Sequence, residues 1–187
     1  MIHRLTQYGQ HIELDVTTDP EMLIAWANDF EWQKYNPRKD VNRWGLSVTS
    51  SDGTFNGIDL DSLYEYNKEN KTSYNEKDFN VATPVLNKQI HDILLPWDKD
   101  YYRTHFLKFG PGGFFPPHRD FPGVGPEYFR LLCTFGKAQP ENYAHILDKQ
   151  LIYPDPEYVH FINFQKEHSV FSYTNGLYSL ILTIKLN

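Results

Sequence analysis

The chain has 187 residues, a formal net charge of −6 and one cysteine. That length supports a single domain with a sizeable core. An acidic balance without a basic cluster excludes the counterion displacement by which proteins grip a phosphate backbone, so no nucleic-acid partner is expected. No run of about 18 apolar residues is present, and the start MIHRLTQYGQ lacks the apolar stretch of a signal peptide. No membrane partner is therefore expected, and the expected location is cytoplasmic.

Cys133, inside the apolar run FRLLCTF, reads as a small buried hydrophobe, and a lone cysteine fits a reducing compartment. Aromatic residues make up 16% of the chain, which favours strands and a barrel- or sandwich-like core over a helical bundle.

In chain order, residues 2–16 alternate loosely enough for a short strand or hairpin. Asp19-Pro20-Glu21 is a cap followed by proline at the first helical position, which predicts a helix to about Phe30 with Trp26 and Phe30 turned inward. Residues 31–57 read as loop, with WGLSV as a short strand. The polar, tyrosine-rich stretch 61–78 reads as a solvated loop or a substrate-facing lid, with room for one helical turn near Leu63. Thr83 and Pro84 then predict a second helix, its apolar stripe formed by Val85, Leu86, Ile90, Ile93 and Leu94 and ending at Pro96.

After Trp97 the spacing changes. Short apolar runs at 101–109, 114–120, 129–135, 143–147, 158–164, 168–173 and 177–186 are separated by Gly, Pro or polar turns. Regular short strands of this kind predict an all-β sandwich or barrel. The expected organisation is a helical and loop elaboration over 1–97 packed on a β core over 98–187.

Chemistry concentrates in Leu107–Asp120, LKFGPGGFFPPHRD. In an extended segment, residues separated by one project to the same face, roughly 6.6 Å apart. His118 and Asp120 are so spaced, and an imidazole with a carboxylate supplies two of the three ligands of a 2-His-1-carboxylate iron site. His168, opening a later apolar segment, is the candidate third ligand. On pattern alone a metal site and a structural His–Asp hydrogen bond are both open. His105, His145 and His160 lie in strand-like runs and read as core or rim histidines.

The segment FLKFGPGGFFPPHRD resembles the strand-turn-strand ending in the His-x-Asp ligands of the 2-oxoglutarate/iron(II)-dependent dioxygenases, closest to their prolyl-hydroxylase-like members. NFQKEHSVFSYTNGLYSLILTIKL resembles their distal-histidine segment, nearer the aspartyl/asparaginyl β-hydroxylases. The resemblance covers about the C-terminal half. It implies a mainly β fold with flanking helices, a double-stranded β-helix (jelly roll, cupin-like barrel). It also implies Fe(II) held by His118, Asp120 and His168, with 2-oxoglutarate as cosubstrate. The implied reaction is hydroxylation of a C–H bond in a peptide side chain, an amino acid or a small metabolite.

One position departs from that pattern. About ten residues after the distal histidine the family carries a basic residue for the far carboxylate of the cosubstrate, and here that position is Tyr178. Tyr178 shares a strand face with Leu180, Leu182 and Ile184, expected to be the barrel interior. Arg130, which resembles the first Arg of an Arg-x-His pair in the β-hydroxylases, is the expected replacement anchor, with a neutral hydrogen bond from Tyr178. Tyr102 is a further candidate for the carboxylate, and Asn163 for orienting the distal histidine. The alternative is a jelly-roll binding protein without redox chemistry, or a dioxygenase fold that has lost turnover; the missing arginine favours it.

Overall fold

The computed structural model describes residues 10–36, 40–97, 100–120 and 127–185. The part of the expected N-terminal strand over 2–9 lies outside them. No helix among the described residues is long and apolar enough to cross a membrane.

Two antiparallel sheets face each other. The larger contains β1 (His11–Thr17), β2 (Gln33–Lys34), β3 (Arg43–Ser47), β6 (Tyr101–Phe109), β8 (Tyr128–Gly136), β11 (Tyr158–Ile162) and β13 (Leu177–Lys185), in the order β1-β11-β8-β13-β6-β3-β2. The smaller contains β7 (Phe114–His118), β9 (Tyr143–Leu147), β10 (Gln150–Ile152) and β12 (His168–Ser172), in the order β10-β9-β12-β7. A two-stranded ribbon, β4 (Thr49–Ser50) with β5 (Val81–Ala82), stands apart. From β6 onward the strands pass back and forth between the two sheets. This is the expected jelly roll.

Strand parity explains the two cores. On β13 (LYSLILTIK) every residue but the last is buried, because both faces of the strand are covered. Leu180, Leu182 and Ile184 join Phe106, Leu131 and Phe135 on the outer face of the large sheet. There they pack against Leu23 and Ala27 of α1 (Pro20–Asn28) and Ile90, Ile93 and Leu94 of α3 (Lys88–Leu94). Leu177 and Ile181 point the other way, into a second core between the sheets with Leu107, Phe109, Leu132 and Leu147.

The N-terminal part is more deeply integrated than an elaboration packed on a finished barrel. β1 extends the large sheet beside β11, pairing His11 with Ile162, and β3 extends the other side beside β6, pairing Arg43 with Phe109. The first helix starts as expected: the Asp19 side chain accepts from Met22 N, and Pro20 holds the first position. The second begins later than Thr83-Pro84 predicts. Thr83 is held extended, its N–H on Val48 O and its hydroxyl donating to Ser47 O, so the helix is capped by Asn87 instead. In the tyrosine-rich stretch the helical turn expected near Leu63 extends to a two-turn helix, α2 (Leu63–Asn70), with Ser62 as its cap, in place of most of the expected loop.

Candidate metal centre

β7 and β12 are neighbours in the small sheet, and their register sets His118 directly opposite His168. The imidazole centroids are 4.1 Å apart. Asp120 follows two residues after His118, its N–H donating to Phe164 O, just before β12. Asp120 Oδ1 lies 3.4 Å from His118 Nε2 and 4.0 Å from His168 Nε2. One ligand atom from each of the three residues falls within 4.8 Å of the others, the one such cluster among the described residues. The structure therefore brings together the three side chains singled out in the sequence.

Each histidine is oriented by its own backbone. His118 Nδ1 is 2.7 Å from Pro116 O, and His168 Nδ1 is 3.0 Å from Lys166 O. A carbonyl can only accept, so Nδ1 carries the proton in both rings and the Nε2 lone pairs face Asp120. That tautomer is the one a metal-ligating imidazole needs.

Asp120 is held from behind. Its Oδ2 accepts from Arg130 Nη1 at 2.6 Å, leaving Oδ1 toward the histidines. Burial alone raises the Asp120 carboxyl, but the Arg130 guanidinium and both imidazoles outweigh it and hold the group well below the usual carboxylate range. Burial lowers His168 to about 4, against the opposing pull of Asp120. For His118 burial again opposes the charged ring, but the Asp120 contact prevails and its pKa is raised. A centre with one anionic carboxylate and two inward imidazole nitrogens suits a divalent transition metal.

Arg130 also stands 3.6 Å from Glu76, which pairs with Arg103 at 2.9 Å. Arg103 Nε and Nη2 donate to Asp59 O and Asp61 O. A buried chain of charges thus runs from the N-terminal part to Asp120.

The ligands open onto a cavity of about 320 Å3 between the sheets. Its walls carry Arg130, Leu132 and Thr134 of β8; Tyr143 and His145 of β9; and Leu177, Ser179 and Ile181 of β13. Arg43, Arg103, Asp61 and Leu63 enter it from the N-terminal part and β6. Arg43 is buried, stacks 3.7 Å over Phe115 and donates to Phe114 O.

The expected cosubstrate residues separate. Arg130 reaches the cavity, but its guanidinium is engaged with Asp120 at the metal end. Tyr178 shares a face with Leu180, Leu182 and Ile184, as alternation requires, yet that face is the helix side of the large sheet and not the barrel interior. Its ring stacks on Phe135 and its hydroxyl accepts from Asn28. Tyr102 rests edge-on against Tyr128, away from the cavity walls. Asn163 is buried one strand-end from the site, its side chain accepting from Gln165 N.

Sequence reasoning passed over Arg43, Glu76, Thr134 and Tyr143. Two of these were within reach of strand parity: Thr134 lies four residues from Arg130 on one face of β8, and Tyr143 two from His145 on β9. Thr134 Oγ1, Tyr143 Oη and His145 Nε2 are all buried with no hydrogen-bond partner among the described residues. Burial and Tyr153 push the Tyr143 hydroxyl upward, and burial with the neighbouring histidines lowers His145 to about 3, so both are neutral.

Fold and cavity together define a jelly-roll protein with a His–Asp–His cluster between its sheets that could hold a metal ion. Comparison with solved structures agrees on the fold. A 2OG-Fe(II) oxygenase-family oxidoreductase from Burkholderia pseudomallei aligns over 98% of this chain and 87% of its own, with 11% identity and a TM-score of 0.60. A prolyl hydroxylase from Trichoplax adhaerens, in complex with a hypoxia inducible factor peptide fragment, aligns over 99% and 87%, with 9% identity and a TM-score of 0.54. A prolyl-4-hydroxylase from Pseudomonas putida aligns over 100% and 98%, with 15% identity and a TM-score of 0.51. No family model matches the sequence, and no curated protein matches it.

Proposed function

We propose that the chain is an Fe(II)- and 2-oxoglutarate-dependent dioxygenase that hydroxylates a C–H bond. The observation that carries this reading is the convergence of His118 Nε2, His168 Nε2 and Asp120 Oδ1 at the mouth of the cavity, with both Nδ1 protons tied to carbonyls. Three protein ligands on one side of a metal leave its remaining positions for cosubstrate and oxygen. With Fe(II) bound, O2 would be the oxidant, two of its four electrons coming from 2-oxoglutarate as it becomes succinate and CO2 and two from the substrate C–H bond; the protein's own residues hold, orient and exclude water.

His118, Asp120 and His168 hold the metal. Arg130 fixes the Asp120 rotamer and neutralises its second oxygen, so it serves as a positioning residue for a ligand. Leu132, Val170 and Ile181 give the cavity dry walls. Arg43, Asp61 and Leu63 line it from the N-terminal part, the side on which substrate is to be recognised. A peptide, an amino acid and a small metabolite all suit an opening of this size, and the peptide held by the Trichoplax neighbour supports the first. A cytoplasmic location belongs to the same reading, on the strength of one buried thiol.

The second reading is a non-redox jelly-roll binding protein. What favours it is that Leu177, Ser179 and Ile181, the cavity-facing residues of β13, include no cation for a carboxylate. Anaerobic addition of Fe(II) and then 2-oxoglutarate separates the two. The dioxygenase reading expects a visible metal-to-ligand charge-transfer band that is absent from His168→Ala; iron binding without a band moves the assignment to the binding protein.

A further inference from the structure

The outer face of the large sheet carries two rows of side chains that differ in kind. Leu180, Phe106 and Leu46 stand side by side across β13, β6 and β3, each at most 1% exposed in the core beneath the helices. Two residues along the same strands, and so on the same face, comes the second row. There Tyr178 is opposite Lys108, Lys108 opposite Trp44, and Trp44 opposite Lys34 of β2. Neighbouring strands lie about 4.8 Å apart, so aromatic and cationic side chains alternate across the sheet at that spacing. Trp32, just before β2, leans over this row, its ring centre 5.9 Å from that of Tyr178. Trp32, Trp44, Lys108 and Tyr178, with Asn175 beside them, line a cleft of about 520 Å3. The large sheet separates this cleft from the cavity that holds His118, Asp120 and His168.

The chain carries a net charge of −6, yet no Asp or Glu among the described residues lines this cleft. Lys108 is half-buried, its Nζ 5.5 Å from the Trp32 ring centre and 5.7 Å from that of Tyr178. Lys34 Nζ stands 4.2 Å from the Trp44 ring centre and donates to Val41 O. Neither lysine has a carboxylate partner among the described residues. A half-buried ammonium without a counter-ion attracts an anion. The ring faces carry the negative side of the aromatic quadrupole and attract C–H groups with partial positive charge. Trp32 and Tyr178 are inclined by 59°, so they offer no parallel plates for a flat heteroaromatic base. A puckered ring, whose C–H bonds point in several directions, suits inclined faces better. The exposed Asn175 amide can donate to or accept from hydroxyls. A puckered ring with polarised C–H bonds, hydroxyls and one carboxylate is a uronic acid.

We infer that this cleft is a second binding site, for a uronic-acid unit of an oligosaccharide. The C–H face of the sugar packs on Trp44 and Trp32, its carboxylate meets Lys108, and a hydroxyl meets Asn175. The volume lies within the usual range for a small-molecule site. The excess of acidic groups over the whole chain repels a long polyanion, which favours a short acidic sugar over a nucleic acid. The site stands independently of the dioxygenase reading, since it shares no residue with the metal ligands.

Calorimetric titration of the full chain with trigalacturonate, trimannuronate and a glucuronate-containing heparosan tetrasaccharide tests this. Each is compared with its carboxyl-reduced, neutral counterpart, and AMP stands in for a flat anionic base. At least one acidic sugar is expected to bind about tenfold or more tightly than its neutral form, the scale of one charge-assisted contact. Lys108→Met keeps the apolar stem and should erase that difference. Trp44→Leu should weaken the acidic and the neutral sugar alike. Thermal unfolding at the parental midpoint shows that each variant is folded; should Trp44→Leu fail that check, Lys108→Met decides alone. Acidic-sugar affinity unchanged in Lys108→Met, tighter binding of AMP than of the sugars, or no binding of any of the three acids overturns the assignment.

Discussion

At the scale of single residues, the decisive contact is between Arg130 and Asp120. A carboxylate ligand with two equivalent oxygens can rotate or bridge; one whose Oδ2 is held at 2.6 Å by a guanidinium presents only Oδ1. On the proposed reading Arg130 would act on a bound metal through Asp120, and its loss should appear first in metal affinity. We expect Arg130→Met to weaken Fe(II) or Mn(II) binding by about 10- to 100-fold, the usual penalty for removing a group that orients a ligand. His118→Ala, Asp120→Ala and His168→Ala should abolish stoichiometric binding. Metal titration of the four variants orders them, and parental affinity in Arg130→Met would confine that ion pair to a structural role. The same residue shows what sequence pattern could not resolve. An arginine opening the apolar run RLLCTF had to meet an anion, but whether that anion was a ligand carboxylate or a cosubstrate depended on which strand lay across from it.

At the scale of elements, the turn that carries the chain from β6 in the large sheet to β7 in the small one delivers His118 and Asp120, and its geometry is set by glycine. Gly112 has φ of +71°, and a Cβ on Gly113 would lie 2.2 Å from Asn42 O. That oxygen belongs to backbone that also accepts from Gly110 N, so it cannot swing aside. Gly113→Ala should destabilise the fold by about 1–3 kcal/mol and loosen the metal site with it, read by thermal unfolding and Mn(II) titration. This turn, and the strands on either side of it, were legible because Gly-Pro-Gly-Gly between apolar runs leaves the chain few options. Most of the strands after Trp97 were legible for the same reason. β10 was not: it follows a two-residue turn at Asp148-Lys149 with φ of +48° and +70°, conformations usually signalled by Asn-Gly. The face of Tyr178 was misassigned although its parity was right, because a strand buried on both sides carries no mark of which side holds the cavity. Likewise His118 and Asp120 could be paired by spacing, whereas Arg43 and Glu76 reach the same cavity region through pairings distant in sequence.

At the scale of the whole molecule, the N-terminal part is bound to the site through buried charge. Glu76 lies against both Arg103 and Arg130, Arg130 reaches Asp120, and Arg103 is bonded to the backbone of the turn that carries Asp59. Asp59 itself is fully buried; Oδ1 accepts from Ser47 at 2.8 Å while Oδ2 has no partner among the described residues. Burial raises its pKa to about 6, outweighing the Ser47 hydrogen bond and the pull of Arg103. A carboxyl raised on folding contributes stability that is complete below its unfolded value, near 3.8, and is lost as pH climbs through about 6. A rise of about two units corresponds to roughly 3 kcal/mol. Asparagine keeps the acceptor for Ser47 and cannot ionise. Asp59→Asn should therefore match the parent near pH 4 and exceed it at pH 7.5 by up to about 3 kcal/mol, in urea unfolding followed across that range. If the two stability curves run parallel from pH 4 to 7.5, Asp59 does not titrate in that window, and the network holds its carboxylate charged at neutral pH as firmly as it holds Asp120.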